Sequence, residues 1–251
     1  MYRFHQFTVS ALVAMALSLQ ADDERRNRFS ADVEGGAVFT ARNDVRIPGE
    51  SGTPFSMRDL TGSGPAGYVR GHLSFDFNPR HQVRLTLAPL ETSGVGVLPT
   101  PVSFVGTTFA PGVPTRGEYQ FNTWRLGYRW TFFENDRWQL GLGGTAAIRD
   151  ASVRLVQGAT SAVDSNVGFV PLAHLYAQYR LGLKTRLVFD FEGLAAPQGR
   201  ALDAALKVVY QFSPRWSGSL GYRMLEGGVD NDSTYNSTWF HFAGASLRFE
   251  F

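Results

Sequence analysis

From Phe29 onward, apolar and polar residues exchange places at every second position, not every third or fourth. In the stretch from Tyr68 to Phe77, Val69, Leu73, Phe75 and Phe77 share one face, while Arg70, His72, Ser74 and Asp76 share the other. Val83, Leu85 and Leu87 stand opposite Gln82, Arg84 and Thr86. Trp124, Leu126, Tyr128, Trp130 and Phe132 oppose Thr123, Arg125, Gly127, Arg129 and Thr131. The same rhythm sets Leu187, Phe189 and Phe191 against Arg186, Asp190 and Glu192, and Leu206, Val208 and Tyr210 against Asp203, Lys207 and Gln211. Side chains of a strand point alternately to opposite faces of the sheet, so each of these stretches predicts a β-strand with one apolar and one polar face.

Alternation also occurs in soluble sandwiches. The connections discriminate. Tight polar turns are read at Asn78-Pro79-Arg80-His81, Glu134-Asn135-Asp136-Arg137, Gly182-Leu183-Lys184-Thr185 and Ser213-Pro214-Arg215-Trp216. Between them lie longer Gly-, Pro- and polar-rich stretches at 43–64, 92–117, 150–166, 195–200 and 226–237. Strict alternation of short and long connections predicts an all-β, antiparallel up-and-down transmembrane barrel of about ten strands, with eight or twelve as alternatives. Aromatics cluster beside the tight turns (Tyr128, Trp130, Phe132, Phe133 and Trp138; Tyr210, Phe212 and Trp216), where a girdle at the headgroup boundary would need them.

Composition narrows the class. Apolar residues make up 43% of the 251, and no apolar run reaches the twenty or so residues of a membrane helix. The absence of cysteine removes thiol catalysis and thiolate metal sites. With 24 Lys+Arg against 22 Asp+Glu there is no basic field, and nucleic acid is not an expected partner. At the start, Arg3, an uncharged run over residues 7–19 and the sequence Leu19-Gln20-Ala21 have the order of a secretory signal peptide. Residues 1–21 are therefore expected to be an export signal and 22–251 the barrel domain.

The last strand places Ala243, Ala245, Leu247, Phe249 and Phe251 on one face and stops at an aromatic. This terminus, the leader and the strand-turn rhythm together resemble bacterial outer-membrane β-barrel proteins. The resemblance implies residence in the bacterial outer membrane, contact with membrane lipid and lipopolysaccharide, and recognition of Phe251 by the outer-membrane assembly machinery.

If the apolar face meets lipid, the polar face lines the interior. Candidate binding residues there are Arg70, His72, Asp76, Arg125, Arg129, His174, Arg186, Asp190, Glu192 and Asp203, within a wider lining that includes Asp32, Glu34, Arg84, Lys207, Arg223 and Arg248. Charges confined in a small barrel are expected to pair across it, and a surplus of arginine would favour anions along any open path. No catalytic residue, metal ligand set or cofactor is expected. His72 and Asp76 sit too far apart along a strand to touch, His241 falls on the lipid face, and no Asp-His couple is visible in the sequence. The acidic stretch from Glu226 to Asp232 lacks the spacing of a calcium loop and reads as a solvated turn. The stretch 92–117 is too apolar to lie bare in water, which predicts a plug in the barrel mouth or a hairpin above it.

The functional expectation is a structural or surface barrel, or a narrow porin-like pore with an arginine-rich lumen. The alternatives are a barrel enzyme acting on lipid or peptide, as omptin proteases and lipid A deacylases are, and a soluble periplasmic barrel holding a small apolar ligand.

Overall fold

A computed structural model describes residues 28–196 and 199–251. The expected signal peptide lies outside the described residues. The elements in chain order are β1 (Phe29–Arg46), β2 (Phe55–Ser56), a short helix α1 (Met57–Thr61), β3 (Ala66–Asn78), β4 (His81–Ala88), β5 (Glu91–Val97), β6 (Val102–Phe104), β7 (Thr107–Phe109), β8 (Pro114–Glu134), β9 (Trp138–Gln157), β10 (Thr160–Arg180), β11 (Thr185–Ala196), β12 (Gly199–Gln211), β13 (Trp216–Asp230) and β14 (Tyr235–Glu250).

Ten staves close into one antiparallel barrel: β1, β3, β4 continued by β5, and then β8 to β14 in order. The last strand returns to the first. β14 pairs with β1 from Ser30↔Glu250 to Arg46↔Tyr235, with one irregularity between Thr40 and Arg42. Closure leaves the transmembrane sheet without an edge, the condition under which strands can cross hydrocarbon with every backbone group paired.

The wall faces the way the alternation predicts. Val69, Leu126, Leu142, Phe189 and Leu220 point outward and are exposed, whereas Glu34, Arg70, Arg125, Glu192 and Asp203 point inward and are buried. This orientation overturns the soluble ligand-binding barrel, which would carry its apolar face inside. Trp130, Phe132, Phe133, Trp138, Tyr210, Phe212 and Trp216 form an exposed aromatic ring at the tight-turn end. His241 lies on the outer face among aromatics, its Nδ1 2.5 Å from the Tyr222 hydroxyl and its ring against Trp239.

The strict alternation of short turns and long loops does not hold at the opposite end. Residues 150–166 are not a loop: β9 and β10 run together from Gln139↔Gln178 up to Gln157↔Thr160. Within 195–200, Ala195 and Ala196 belong to β11 and Gly199 and Arg200 to β12, and 226–237 is taken up by β13 and β14 with a short turn between them. In 43–64, β1 continues to Arg46 before β2 and α1. The physical reason is a change of solvent. Above Trp124 and Ile148 the pattern inverts: Tyr119, Val153 and Leu155 face inward and are buried, while Arg116, Glu118 and Arg154 face outward. A strand wet on its outer face loses the apolar-out signature and reads as a polar connection.

Candidate functional site: the barrel interior

The interior is stratified into three layers. The outermost is apolar. The stretch 92–117 supplies β5, the β6–β7 hairpin and the start of β8, and its middle part folds inward. Leu98, Val102, Phe104 and Phe109 are buried, the two phenylalanines completely, against Val38, Leu155, Leu225, Phe240 and Phe242 of the wall. Phe104 meets Phe55 edge-on at 5.7 Å between ring centroids. Helix α1 lies beside them with Met57 and Leu60 buried. It fits because the wall is bare there: a Cβ on Gly94 or Gly96 would stand 2.5 Å and 2.3 Å from the helix carbonyls of Leu60 and Asp59. The expected plug and the expected hairpin are thus one structure.

Below the plug lies a lattice of ion pairs. Asp203 accepts from Arg70 at 3.0 Å and Arg223 at 2.5 Å, with Arg125 2.8 Å away. Glu192 accepts from Arg125 at 2.6 Å, Arg84 at 2.9 Å and the Thr145 hydroxyl at 2.9 Å. Asp190 takes Arg84 at 2.5 Å and lies 3.0 Å from His174 Nε2. Glu34 accepts from Lys207, from Arg223 at 3.3 Å and from the Tyr68 hydroxyl at 3.0 Å. Four carboxylates thus hold four arginines and a lysine in the barrel's middle. The pairing is what makes their burial tolerable, since an isolated buried charge costs several kcal/mol or more.

The third layer is open. A cavity of about 730 Å³ occupies the tight-turn half of the barrel and is lined by His72, Asp76, Arg129, Tyr176, Arg186 and Arg248 among others. His72 Nδ1 sits 2.9 Å from the Thr86 hydroxyl, and Asp76 accepts from Gln82 at 2.9 Å. The Arg129 guanidinium lies over the Tyr176 ring at 3.9 Å.

All ten sequence-derived candidates face the interior, but they do not form one site. Arg70, Arg125, His174, Glu192 and Asp203 are locked in the buried lattice, His72, Asp76, Arg129 and Arg186 line the cavity, and Asp190 belongs to both. Tyr68 and Tyr176 were missed. Tyr68 shares the inward face with Arg70 and Tyr176 with His174, but an aromatic at such a position is read as wall filler until its partner is known. The His174–Asp190 couple was also invisible, because it forms across the β10–β11 ladder between residues 16 apart. The couple is enclosed: His174 is 3% exposed, its Nδ1 has no partner among the described residues, and Asp190 is also held by Arg84. The acidic stretch near Glu226 likewise resolves into strand, with Glu226 paired to Arg200. Among the described residues no cluster of His, Asp and Glu has the arrangement of a metal site.

No protein-family model matches the chain, and no curated protein matches it in sequence. Solved structures do. The outer membrane protease OmpT from Escherichia coli superposes with a TM-score of 0.57 at 11% identity, over 90% of this chain and 97% of that one. Ail, the attachment invasion locus protein of Yersinia pestis, gives 0.39 at 12% identity over 88% and 99%. Neisserial surface protein A gives 0.37 at 12% identity over 89% and 97%. At these identities the likeness carries the fold and no activity. The chain has the closed-barrel architecture of bacterial outer-membrane proteins, and its outward apolar belt suits it to that membrane.

Proposed function

We propose that this protein is a sealed outer-membrane barrel with a structural or surface role, and not a diffusion pore. The observation that supports this reading is the double closure of the lumen. A porin-like path would have to cross the buried plug around Phe104 and Phe109 and then the lattice around Asp203, and neither layer leaves room for a hydrated solute. Beyond the belt, β8, β9 and β10 rise together and present Arg116, Glu118 and Arg154 to the exterior, a rigid polar surface of mixed charge. In this reading the belt contacts membrane lipid and lipopolysaccharide, and the strand ending at Phe251 is the segment the assembly machinery engages.

Conductance tests the proposal. The folded protein reconstituted in a planar bilayer is expected to show no single-channel steps over the voltage range in which a ten-stranded open pore would conduct. Reproducible steps from a homogeneous preparation would transfer the assignment to the pore.

A further inference from the structure

The cavity at the tight-turn end is blind: it opens where the short turns lie and stops at the buried lattice. Its volume, about 730 Å³, is that of a small-molecule site. Its lining is unbalanced, with eight arginine or lysine side chains against four carboxylates. Two of those carboxylates are paired with arginine, Asp190 with Arg84 and Glu250 with Arg248, while Asp32 and Asp76 are hydrogen-bonded only to the neutral Ser246 and Gln82 and keep their charge. Of the eight basic side chains, the lattice carboxylates hold Arg84, Lys207 and Arg223, Glu250 holds Arg248 and Glu134 holds Arg180, so the excess reduces to Arg28, Arg129 and Arg186, which have no ion-pair partner among the described residues.

Two features show where that excess collects. Arg129 crosses the face of β9 over Gly141, where a Cβ would stand 3.0 Å from its Cγ and Cδ, and sets its guanidinium carbon over the Tyr176 ring, 3.9 Å from the centroid. Its Nε is buried and has no hydrogen-bond partner among the described residues. A guanidinium over an aromatic ring can still offer N–H groups to a phosphate or carboxylate. Secondly, Arg186 stands directly opposite Arg180 on the β10–β11 ladder, and both line the cavity. Like charges facing each other across a ladder repel. Arg180 has Glu134 at 3.5 Å, but Arg186 has no acidic partner within ion-pair distance among the described residues.

We propose that this cavity is a binding site for a small anion bearing phosphate groups, taken up from the side on which the short turns lie. Arg129 and Arg186 supply its principal contacts and Arg180 and Arg248 the surrounding field. The phosphate can be carried by a soluble molecule or by a phospholipid headgroup, so the test has two arms. The full-length folded protein in zwitterionic detergent is titrated calorimetrically with inorganic pyrophosphate and, separately, with short-chain phosphatidylglycerol. At least one is expected to bind. Arg129→Gln and Arg186→Gln should each weaken that binding about tenfold and the pair about a hundredfold, as expected for loss of charge-assisted hydrogen bonds. Arg116→Gln, on the opposite rim, should leave it unchanged. Binding of pyrophosphate identifies a soluble ligand, and binding of the lipid alone identifies a headgroup. Because neither Arg129 nor Arg186 belongs to the lattice, the variants should melt with the wild type by circular dichroism, which keeps a folding defect distinguishable. No binding in either arm, or binding that the double variant retains at full strength, would overturn the proposal.

Discussion

The Arg70 guanidinium donates to the Asp203 carboxylate at 3.0 Å across the barrel, joining β3 to β12 over 133 residues of sequence. Neither strand pairs with the other, so this contact, unlike a ladder, tests whether the barrel has closed with the correct register. Asp203 also neutralises Arg125 and Arg223. Asp203→Ala would leave three buried guanidiniums around an empty position. The expected loss is about 3–5 kcal/mol, the cost of breaking a buried pair from one side. The exposed-rim change Glu226→Ala, which removes the partner of the half-exposed Arg200, should cost under about 1 kcal/mol. Reversible urea unfolding from lipid vesicles measures both, and equal losses would show that the lattice does not stabilise the interior.

The plug should be an integral part of the fold and not a loose lid. Phe104 is fully buried against Phe55 and the wall. Phe104→Ala should destabilise the protein by about 3 kcal/mol, the lower end of the range for such truncations because the loop can relax into part of the cavity. It should also make the β6–β7 hairpin cleavable by protease added from the outer side while the transmembrane strands stay intact. The bilayer should remain electrically tight, since the ion lattice still spans the lumen beneath. Conductance appearing with this single change would mean that the apolar layer alone seals the barrel.

At the seam where β14 meets β1, Tyr68 fills a notch that only glycine leaves. A Cβ on Gly244 would lie 2.2 Å from the Tyr68 hydroxyl, 3.0 Å from its Cζ and 2.7 Å from the Gly35 carbonyl. Gly244→Ala is expected to cost about 1–3 kcal/mol through overpacking. Tyr68→Phe in the same chain removes the nearest of those atoms but not the Gly35 carbonyl, so rescue should be partial. It also strips Glu34 of a hydrogen bond. A double-mutant cycle read by thermal melting would show a favourable coupling smaller than the alanine penalty; additive losses would place the clash wholly in the backbone.

Much of the fold was legible because lipid and lumen impose opposite chemistry on neighbouring residues. Val69 against Arg70, and Leu126 against Arg125, are assignments that alternation alone makes, and the four tight turns carry their Asn, Pro, Gly and Ser in plain view. The outer ends were not legible. Tyr119 and Leu155 turn inward toward a plug while Glu118 and Arg154 turn outward to water, so the rule that holds below Trp124 reverses above it. The apolar content of 92–117 signalled burial, but not that Gly94 and Gly96 in the same stretch make room for a helix from another one. The interior was read as a set of charges, correctly placed on one face. Which of them meet, as Arg125 does with Glu192 or Arg84 with Asp190, follows from closing the sheet into a ring, and nothing local in the sequence encodes that distance.

The reversal of the pattern locates the membrane boundary and can be checked directly. Leu126 and Val167 are both exposed apolar residues, at 56% and 68%. Leu126 lies below Trp124, inside the belt. Val167 pairs with Asp150, which pairs in turn with Asn122, a polar row one step above Trp124, Ile148 and Phe169. Arginine at position 126 must be carried in hydrocarbon one row inside the boundary, at a cost above the roughly 0–1 kcal/mol of the interface and up to about 2–4 kcal/mol, the cost at the midplane. Arginine at position 167 stands in water and should change stability by no more than about 0.5 kcal/mol. Unfolding of Leu126→Arg and Val167→Arg in the same vesicles separates the two solvents: a large loss at both positions would move the boundary outward by at least one row, and a small loss at both would remove the belt from the membrane.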